Sequence, residues 1–234
     1  MESIVSFLKR ENADIIALQE VFSNKNSELP LQYRSYEYLK KELGYSYGIF
    51  TPAFTLTLPE GKYLTGNAIL SKYPVSENGT IFYDIPFGEQ GMDHETFSVT
   101  PRNLQHGILS IGQYKIHLFN TQGIWGTDDK DNDRRLKMAN TITEAIQGCG
   151  HVILSGDFNV DARTKAVKKI EQYLSNVFKD KLETTFNMRI KKGGTFNCSV
   201  VDMVFLSPTF RILSQECPDI DVSDHLPQIV VLEI

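Results

Sequence analysis

Two short polar segments interrupt apolar runs at positions where strands would end. SGDFN at 155–159 follows the apolar run at 151–154, and SDHLP at 223–227 precedes the run at 228–232. Glu20 likewise closes an apolar run. Side chains at strand ends lie on short loops that a rigid sheet holds in place. Carboxylates, an amide and an imidazole gathered in this way predict an oxygen-rich site suited to a hard divalent cation and a phosphate ester.

The first segment contains two groups that could act on water and phosphate. Asp157 and Asn159 are two residues apart, so they point to the same side if strand geometry continues. We interpret Asp157 as the group that positions or deprotonates an attacking water, and the Asn159 amide as a donor to a phosphate oxygen. A structural Asx-turn is the alternative, because Gly, Asp and Asn favour turns.

The second segment places the Asp224 carboxylate beside the His225 imidazole. A protonated His stabilises negative charge in a transition state, and an acidic neighbour fixes its tautomer. Asp202 interrupts the apolar run at 200–206, where an unpaired carboxylate is costly, and His225 would be a suitable partner. The alternatives are a capped loop with a satisfied His and a structural Asp bridged by water.

Glu20 and Trp125 complete the set of candidates that the residues themselves supply. Mg²⁺ keeps several waters and binds through one or two carboxylates, a role that Glu20 fits. The alternative is a Glu at a strand end that is simply exposed to solvent. Trp125, close to Gly123, could stack on a substrate ring or could serve in packing.

Length and composition are those of an ordinary globular protein. With 234 residues, 41% hydrophobic and 23% charged, we expect residues 1–234 to form one domain. The net charge of −5 disfavours a broad grip on nucleic acid but leaves a nuclease possible. The three cysteines form no zinc or disulfide pattern, so we expect reduced, mostly buried thiols. No apolar run approaches the ~20 residues of a membrane span, a cytoplasmic setting is the default, and the oligomeric state stays open.

The periodicity of apolar residues and the turn signals predict mixed helices and strands. Helices are predicted at 2–12, 31–43, 131–147 and 164–175, and a polar loop at 85–101. Strands are predicted at 13–18, in several pieces within 45–83, in a hairpin of 104–111 with 114–121, and at 151–155, 200–206, 210–213 and 228–234. Hairpins combined with crossover helices indicate a layered α/β (α+β) sandwich.

Six segments in order along the chain carry a family resemblance. They are ADIIALQE at 13–20, GNAILS at 66–71, FNT at 119–121, GDFN at 156–159, VDMVF at 201–205 and SDHLP at 223–227. The sequence resembles the endonuclease/exonuclease/phosphatase superfamily, the DNase I-like metal-dependent phosphoesterases, over almost its whole length. Each segment is weak by itself, whereas the ordered set is specific.

The resemblance implies a fold and a set of roles. The implied fold is a four-layered α/β sandwich, with two packed mixed sheets flanked by helices and the site at one end of the sheets. It implies Glu20 as a ligand of Mg²⁺ or Mn²⁺, with Asp157 and Asn159 at the water and phosphate. Asp202 and Asp224 would support His225, and Asp224 would also be a metal ligand. We predict that Asn67 and Trp125 contact the substrate.

Two departures from the family pattern bear on activity. Family members usually open with a strand that carries an active-site Asn, whereas this sequence begins inside the following helix. We expect either a truncated chain, or another segment or a second chain that fills the gap. Many members also carry a His after the Asn-Thr pair, where this chain has Gln122. An amide cannot carry a proton at neutral pH, so a catalytic use of Gln122 predicts activity lowered by about 10²–10⁴-fold.

Two hypotheses of function follow. The first is divalent-metal-dependent hydrolysis of a phosphate monoester or diester by in-line attack of an activated water. The substrate would be a small or lipid-derived ester as readily as nucleic acid. The second is a catalytically weak or inactive family member that acts as a binding or scaffold protein, which Gln122 and the missing first strand with its Asn both support.

Overall fold

The computed structural model describes residues 1–91 and 94–234. Within them the helices are α1 Glu2–Glu11, α2 Ser35–Glu42, α3 Asp133–Ile146 and α4 Lys165–Ile170. The strands are β1 Ile15–Ser23, β2 Tyr47–Leu58, β3 Gly61–Ser71, β4 Val75–Phe82, β5 Glu89–Gln90, β6 Asn103–Ile111, β7 Tyr114–Gln122, β8 His151–Asp157, β9 Ser175–Asn176, β10 Asp202–Leu206, β11 Arg211–Glu216 and β12 Ile229–Glu233. Short 3₁₀ turns lie at Leu31–Arg34, His94–Val99 and Phe196–Cys198.

Two large sheets carry most of the described strands. The first sheet has the order β1-β3-β2-β5, and the second has the order β4-β6-β7-β8-β10-β9. Each sheet is mixed, because β2–β5 and β7–β8 are parallel and their other pairs are antiparallel. Strands β11 and β12 form a separate antiparallel ladder. The predicted α/β class with two mixed sheets is confirmed.

Alternating side chains of the strands build the layers. Leu70 packs with α1 and α2 on one face of the first sheet, while the adjacent Ile69 faces the second sheet. On β7, Leu118 joins Ile69 between the sheets and Phe119 packs with α3 and α4 on the outer face. Because successive strand residues point to opposite faces, this alternation gives the predicted order helix, sheet, sheet, helix, which the structure confirms.

Several element boundaries differ from the prediction. The predicted helix at 31–43 is a 3₁₀ turn followed by α2, which starts at Ser35. The Ser35 hydroxyl accepts a hydrogen bond from the Phe22 backbone N–H at 2.9 Å, so tertiary contact sets this start. The predicted helix at 164–175 ends at Ile170. The predicted loop at 85–101 contains β5 and a 3₁₀ turn, and residues 92 and 93 lie outside the described residues.

Two further sequence expectations concern burial. The apolar run at 13–18 predicted a strand buried on both faces, but β1 runs on to Ser23 and most of its residues are only half-buried or exposed. The cysteines are less buried than expected: Cys198 is exposed, whereas Cys149 and Cys217 are half-buried. Among the helices in the described residues, none has the length and apolar composition that crossing a lipid bilayer requires.

Glycines allow the ends of β7 and β8 to approach closely. Gly156 has φ +148°, and a Cβ there would lie 2.0 Å from the carbonyl oxygen of Thr121. A Cβ on Gly123 would lie 2.1 Å from the carbonyl oxygen of Phe158. Only glycine fits at such contacts. These two positions bring the residues that follow the strands to a common point at the edge of the sheet.

Candidate active site

A cavity of about 650 Å³ lies where β7 and β8 end and β10 begins. Every predicted site residue except Asn67 lines it: Glu20, Gln122, Trp125, Asp157, Asn159, Asp202, Asp224 and His225. The polar segments singled out in the sequence therefore meet in one place. Their roles in catalysis or binding stay predictions.

Asp157, Asp202 and His225 form the most compact cluster of the cavity. Asp157 ends β8 and lies directly opposite Asp202, the first residue of the antiparallel strand β10. His225 Nδ1 lies 2.7 Å from Asp202 Oδ2. One ligand atom from each of the three residues lies within 4.8 Å of the others. The half-buried Asp202 in the apolar strand thus has the imidazole as its hydrogen-bond partner.

The electrostatics of this cluster set the protonation of its members. Burial, together with the charges of Asp202 and Glu20, raises the pKa of Asp157 to about 7, because both effects disfavour the carboxylate form. Burial by itself would lower the pKa of His225, but the carboxylates of Asp202, Asp157 and Asp224 outweigh it and raise this pKa to about 9. At neutral pH an imidazolium therefore balances the acidic cluster.

Asn159 lies in an Asx-turn and lines the cavity at the same time. Its backbone N–H donates to Asp157 Oδ1 at 2.8 Å, and its φ is +53°, so strand geometry does not continue past Asp157. The amide of Asn159 donates one N–H to the Gly123 carbonyl at 3.1 Å. The turn fixes the Asp157 carboxylate, and the bond to Gly123 fixes the Asn159 amide. The second N–H of that amide takes no part in the bond to Gly123.

Glu20 reaches the cavity through a bulge in β1. Leu18 pairs with Ala68 and Val21 pairs with Gly66, so Gln19 and Glu20 oppose the single residue Asn67. The φ of Glu20 is +56°, a left-handed conformation that costs a non-glycine residue about 1–2 kcal/mol. Bulges of this kind re-aim side chains next to functional sites.

A buried chain of hydrogen bonds lies behind Glu20. Gln122 donates from Nε2 to Glu20 Oε1, and Arg102 donates from Nη1 to Gln122 Oε1. Arg102 is only 4% exposed. Burial lowers the pKa of its guanidinium, while the charges of Glu20 and Asp157 act in the opposite direction. Sequence reasoning missed Arg102, because a single Arg before a strand carries no recognisable signal.

Asp224 has a cation as its direct partner. Its Oδ2 lies 2.8 Å from Lys191 Nζ. Burial alone would raise the pKa of Asp224, but the bond from Lys191 and the charge of His225 lower it. The carboxylate is therefore ionised at neutral pH. Asp224 and Glu20 line the cavity without belonging to the compact cluster of Asp157, Asp202 and His225.

The segment 185–187 holds the start of β10 and the loop at 223–226 in place. Thr185 Oγ1 accepts hydrogen bonds from the N–H groups of Val201 and Asp202 at 3.1 and 3.2 Å. The Thr185 carbonyl accepts from the Leu226 N–H at 2.7 Å. Asn187 donates to the Ser223 carbonyl at 2.8 Å. Sequence reasoning missed Thr185 and Asn187, because the segment has neither helical nor strand periodicity.

Arg135 organises the loop that carries Trp125. This arginine of α3 is 1% exposed. It donates to the Ile124, Asp128 and Lys130 carbonyls at 3.1, 2.6 and 2.6 Å. The Trp125 ring lies 5.9 Å from the Phe97 ring. A permanently charged fork with five donors suits a clamp on main-chain carbonyls.

Asn67 belongs to a buried amide network between the sheets. It is 1% exposed and donates to Asn103 Oδ1 at 2.9 Å. Asn120, equally buried, donates to the Leu18 and Ala68 carbonyls at 3.0 Å. Such side-chain bonds tie the two sheets in register. Contact of Asn67 with substrate stays a prediction, and the structure places this residue away from the cavity lining.

The donor set fits a hard divalent cation. The carboxylates of Glu20, Asp157, Asp202 and Asp224 line the cavity with one amide and one imidazole. Burial and the charges of Asp202 and Glu20 raise the pKa of Asp157, and a bound cation would relieve the repulsion between these carboxylates. Oxygen ligands of this kind suit Mg²⁺ or Mn²⁺ rather than soft metals.

Comparison with known families gives one match. A family model described as "Endonuclease/Exonuclease/phosphatase family" matches residues 1–225. No curated protein sequence matches the chain.

Solved structures share the fold at low sequence identity. An endonuclease/exonuclease/phosphatase from Beutenbergia cavernae superposes with a TM-score of 0.75 at 17% identity, over 99% of this chain and 65% of that one. A mannosyl-6-phosphatase from Bacteroides thetaiotaomicron gives 0.69 at 20% identity, over 99% and 89%. D. rerio TDP2, complexed with a single-strand DNA product, gives 0.68 at 16% identity, over 100% and 91%.

Proposed function

The chain belongs to the endonuclease/exonuclease/phosphatase family, and we propose that it hydrolyses a phosphate ester by in-line attack of water with the help of a divalent cation. The observation that carries this proposal is the cluster of Asp157, Asp202 and His225 at the cavity. It combines a base, a charged hydrogen-bond donor and a group that orients the donor.

Asp157 is proposed as the base. Its pKa of about 7 is close to the ideal value for a group that accepts a proton near neutral pH. The bond from the Asn159 backbone to Oδ1 holds the carboxylate in one orientation. The free N–H of the Asn159 amide would then donate to a phosphoryl oxygen next to the attacked phosphorus.

His225 is proposed as the donor that stabilises developing negative charge. Its Nδ1–H donates to Asp202, so the Nε2–H of the imidazolium is the group that would donate to a phosphoryl oxygen. Because the carboxylates raise its pKa to about 9, the ring is charged at neutral pH. A charged donor that is already oriented before the reaction stabilises the developing charge more than a donor that must reorient during it.

Glu20 and Asp224 are proposed as the carboxylates that would hold a Mg²⁺ or Mn²⁺ ion. A bound divalent cation neutralises charge on phosphoryl oxygens. Gln122 would keep the Glu20 carboxylate in place through its Nε2–H.

A small ester is the proposed substrate class. Among the described residues that line the cavity, Lys191 is the one with a permanent positive charge, against six acidic side chains, namely Glu20, Asp128, Asp129, Asp157, Asp202 and Asp224. Tight binding of a polyanion uses several basic phosphate contacts. The balance therefore favours a phosphate ester of an uncharged alcohol over a nucleic acid. One of the solved structures that share the fold is a mannosyl-6-phosphatase.

Hydrolysis of bis(p-nitrophenyl) phosphate and p-nitrophenyl phosphate with Mg²⁺ or Mn²⁺ tests the proposal. We expect Asp157→Asn to lower kcat by about 10²–10⁴-fold, the usual loss for an acid–base group. Asp161→Asn is the matched control, because Asp161 is a buried carboxylate that binds Arg163 and the Val200 N–H and does not line the cavity. If the native chain, Asp157→Asn and Asp161→Asn all hydrolysed the esters only at the background rate, the result would favour a binding protein instead of an enzyme.

A further inference from the structure

Arg102 is a buried cation whose hydrogen bonding is incomplete. It directly precedes β6 and is 4% exposed. Its Nη1 donates to Gln122 Oε1, whereas its Nε has no hydrogen-bond partner among the described residues. A buried unsatisfied donor is unfavourable in a group that serves packing alone. A role beyond packing explains why a guanidinium occupies this position.

Gln122 connects this cation to the cavity. Its carbonyl faces Arg102 and its Nε2 donates to Glu20 Oε1. An amide has an acceptor on one side and two donors on the other. Rotation by 180° would set the NH₂ group against the guanidinium donors and the carbonyl against the Glu20 carboxylate. The two charged neighbours therefore select one orientation of the amide.

We propose that Arg102 is a positioning residue, which anchors the Gln122 carbonyl so that the Gln122 NH₂ group faces Glu20 and the cavity. The effect of Arg102 on catalysis rests on the proposed function, whereas its effect on the orientation of the Gln122 amide rests on the geometry alone. One N–H of Gln122 fixes the Glu20 carboxylate. The second N–H is then a donor for a phosphoryl oxygen of the substrate.

Arg102 and Gln122 together differ chemically from a histidine at position 122. Neither a guanidinium nor an amide changes charge near neutral pH. The cation bonded to the carbonyl polarises the amide and strengthens its N–H as a donor, because bonds in a chain reinforce one another. Arg102 and Gln122 together would thus supply a donor that is independent of pH, where a lone histidine would titrate.

Nuclear magnetic resonance of the Gln122 side-chain amide tests the positioning directly. The signals are assigned by their loss in Gln122→Met. We expect them to lie away from the positions of a free glutamine, and Arg102→Met to move them to those positions. Arg135→Met is the matched control, because Arg135 is equally buried and makes no hydrogen bond to Gln122. Unmoved Gln122 signals in folded Arg102→Met would overturn the proposal.

A milder variant covers the case in which Arg102→Met does not fold. Arg102→Lys keeps a buried positive charge and a donor, without the fork. We expect the Gln122 signals of this variant to lie between those of the native chain and free glutamine. Native-like signals in Arg102→Lys would contradict the need for the guanidinium.

A double-mutant cycle tests the catalytic consequence on bis(p-nitrophenyl) phosphate with Mn²⁺. We expect Arg102→Met and Gln122→Met each to lower kcat by about 10–10²-fold, and the double variant to be no slower than the slower single variant. In the control cycle, the factors by which Arg135→Met and Gln122→Met each lower kcat should instead multiply in their double variant. Multiplying losses for Arg102 and Gln122 would overturn the proposal. If the native chain does not hydrolyse the ester, the proposed function is rejected. The Gln122 amide signals then remain the test of whether Arg102 positions the amide.

Discussion

The chemistry of the cavity depends on where individual charges lie. Asp157 is held beside Asp202 and within the field of Glu20, and His225 is the cation that balances them. Each member changes the protonation of the next, so the cluster acts as a unit. The Asp202–His225 bond is the contact on which the charge of the imidazole depends most directly.

Asp202→Asn tests that dependence. The substitution keeps the shape of the side chain and removes the charge that stabilises the imidazolium. We expect kcat on bis(p-nitrophenyl) phosphate to fall by about 10²–10³-fold, with KM less affected because the substrate does not touch Asp202 in the proposed mechanism. Native kcat in a folded Asp202→Asn chain would remove His225 from the proposed role.

Elements place these residues through backbone conformations that few side chains allow. The bulge in β1 turns Glu20 toward the cavity at φ +56°. The glycines after β7 and within β8 let those strands end side by side. The site therefore depends on strand geometry as much as on its polar side chains.

Gly156→Ala and Gly112→Ala separate steric contact from backbone strain. Both positions have positive φ, but a Cβ at Gly156 would lie 2.0 Å from Thr121 O, whereas nothing lies within 4 Å at Gly112. We expect Gly112→Ala to lower the free energy of unfolding by about 1 kcal/mol and Gly156→Ala by about 3 kcal/mol or more. Urea denaturation measures both, and equal losses would contradict the close approach of β7 and β8.

At this scale, sequence patterns predicted most of the long elements and eight of the residues that line the cavity. The polar segments after β8 and before β12 stand out because apolar runs flank them, and Glu20 stands out for the same reason. Arg102, Thr185 and Asn187 could not be found in this way, because their partners are main-chain groups or residues far apart in sequence. Asn67 was selected from a motif, yet its side chain bonds to Asn103 between the sheets.

At the scale of the whole molecule, both apolar and polar contacts hold the two sheets against each other. Ile69 and Leu118 meet there, and Asn120 binds main-chain carbonyls of the facing sheet. We propose that residues 1–234 form one domain. The fluorescence of Trp125 and the far-UV ellipticity should then change together in urea, and separate midpoints would argue against it.

Stability of the whole molecule should fall in mild acid because of His106. Its Nε2 lies 3.0 Å from His117 Nδ1, and its ring stacks on Phe119. Burial and the charge of His117 lower the pKa of His106 to about 4. The unfolded chain binds this proton below a pH of about 6.5, whereas the folded chain does not, so acidification from 6.5 toward 4 favours unfolding.

His106→Asn removes this linkage. We expect the difference in unfolding free energy between the variant and the native chain to shift in favour of the variant as the pH falls from 7.5 to 5. Urea denaturation of both chains at each pH measures this difference. The contributions of titratable groups that the two chains share cancel in it. A difference that stays constant with pH would contradict the lowered pKa of His106.

The metal dependence of phosphodiester hydrolysis in the native chain and in Asp157→Asn tests the proposed function most directly. Both proteins are stripped with EDTA and then titrated with Mn²⁺ while p-nitrophenolate release from bis(p-nitrophenyl) phosphate is followed. We expect no hydrolysis by the native chain after stripping, and a rate that rises to saturation as Mn²⁺ is added. The rate of Asp157→Asn should be at least about 10²-fold lower. A native rate that survives EDTA, or equal rates for the two chains, would contradict the proposed hydrolysis.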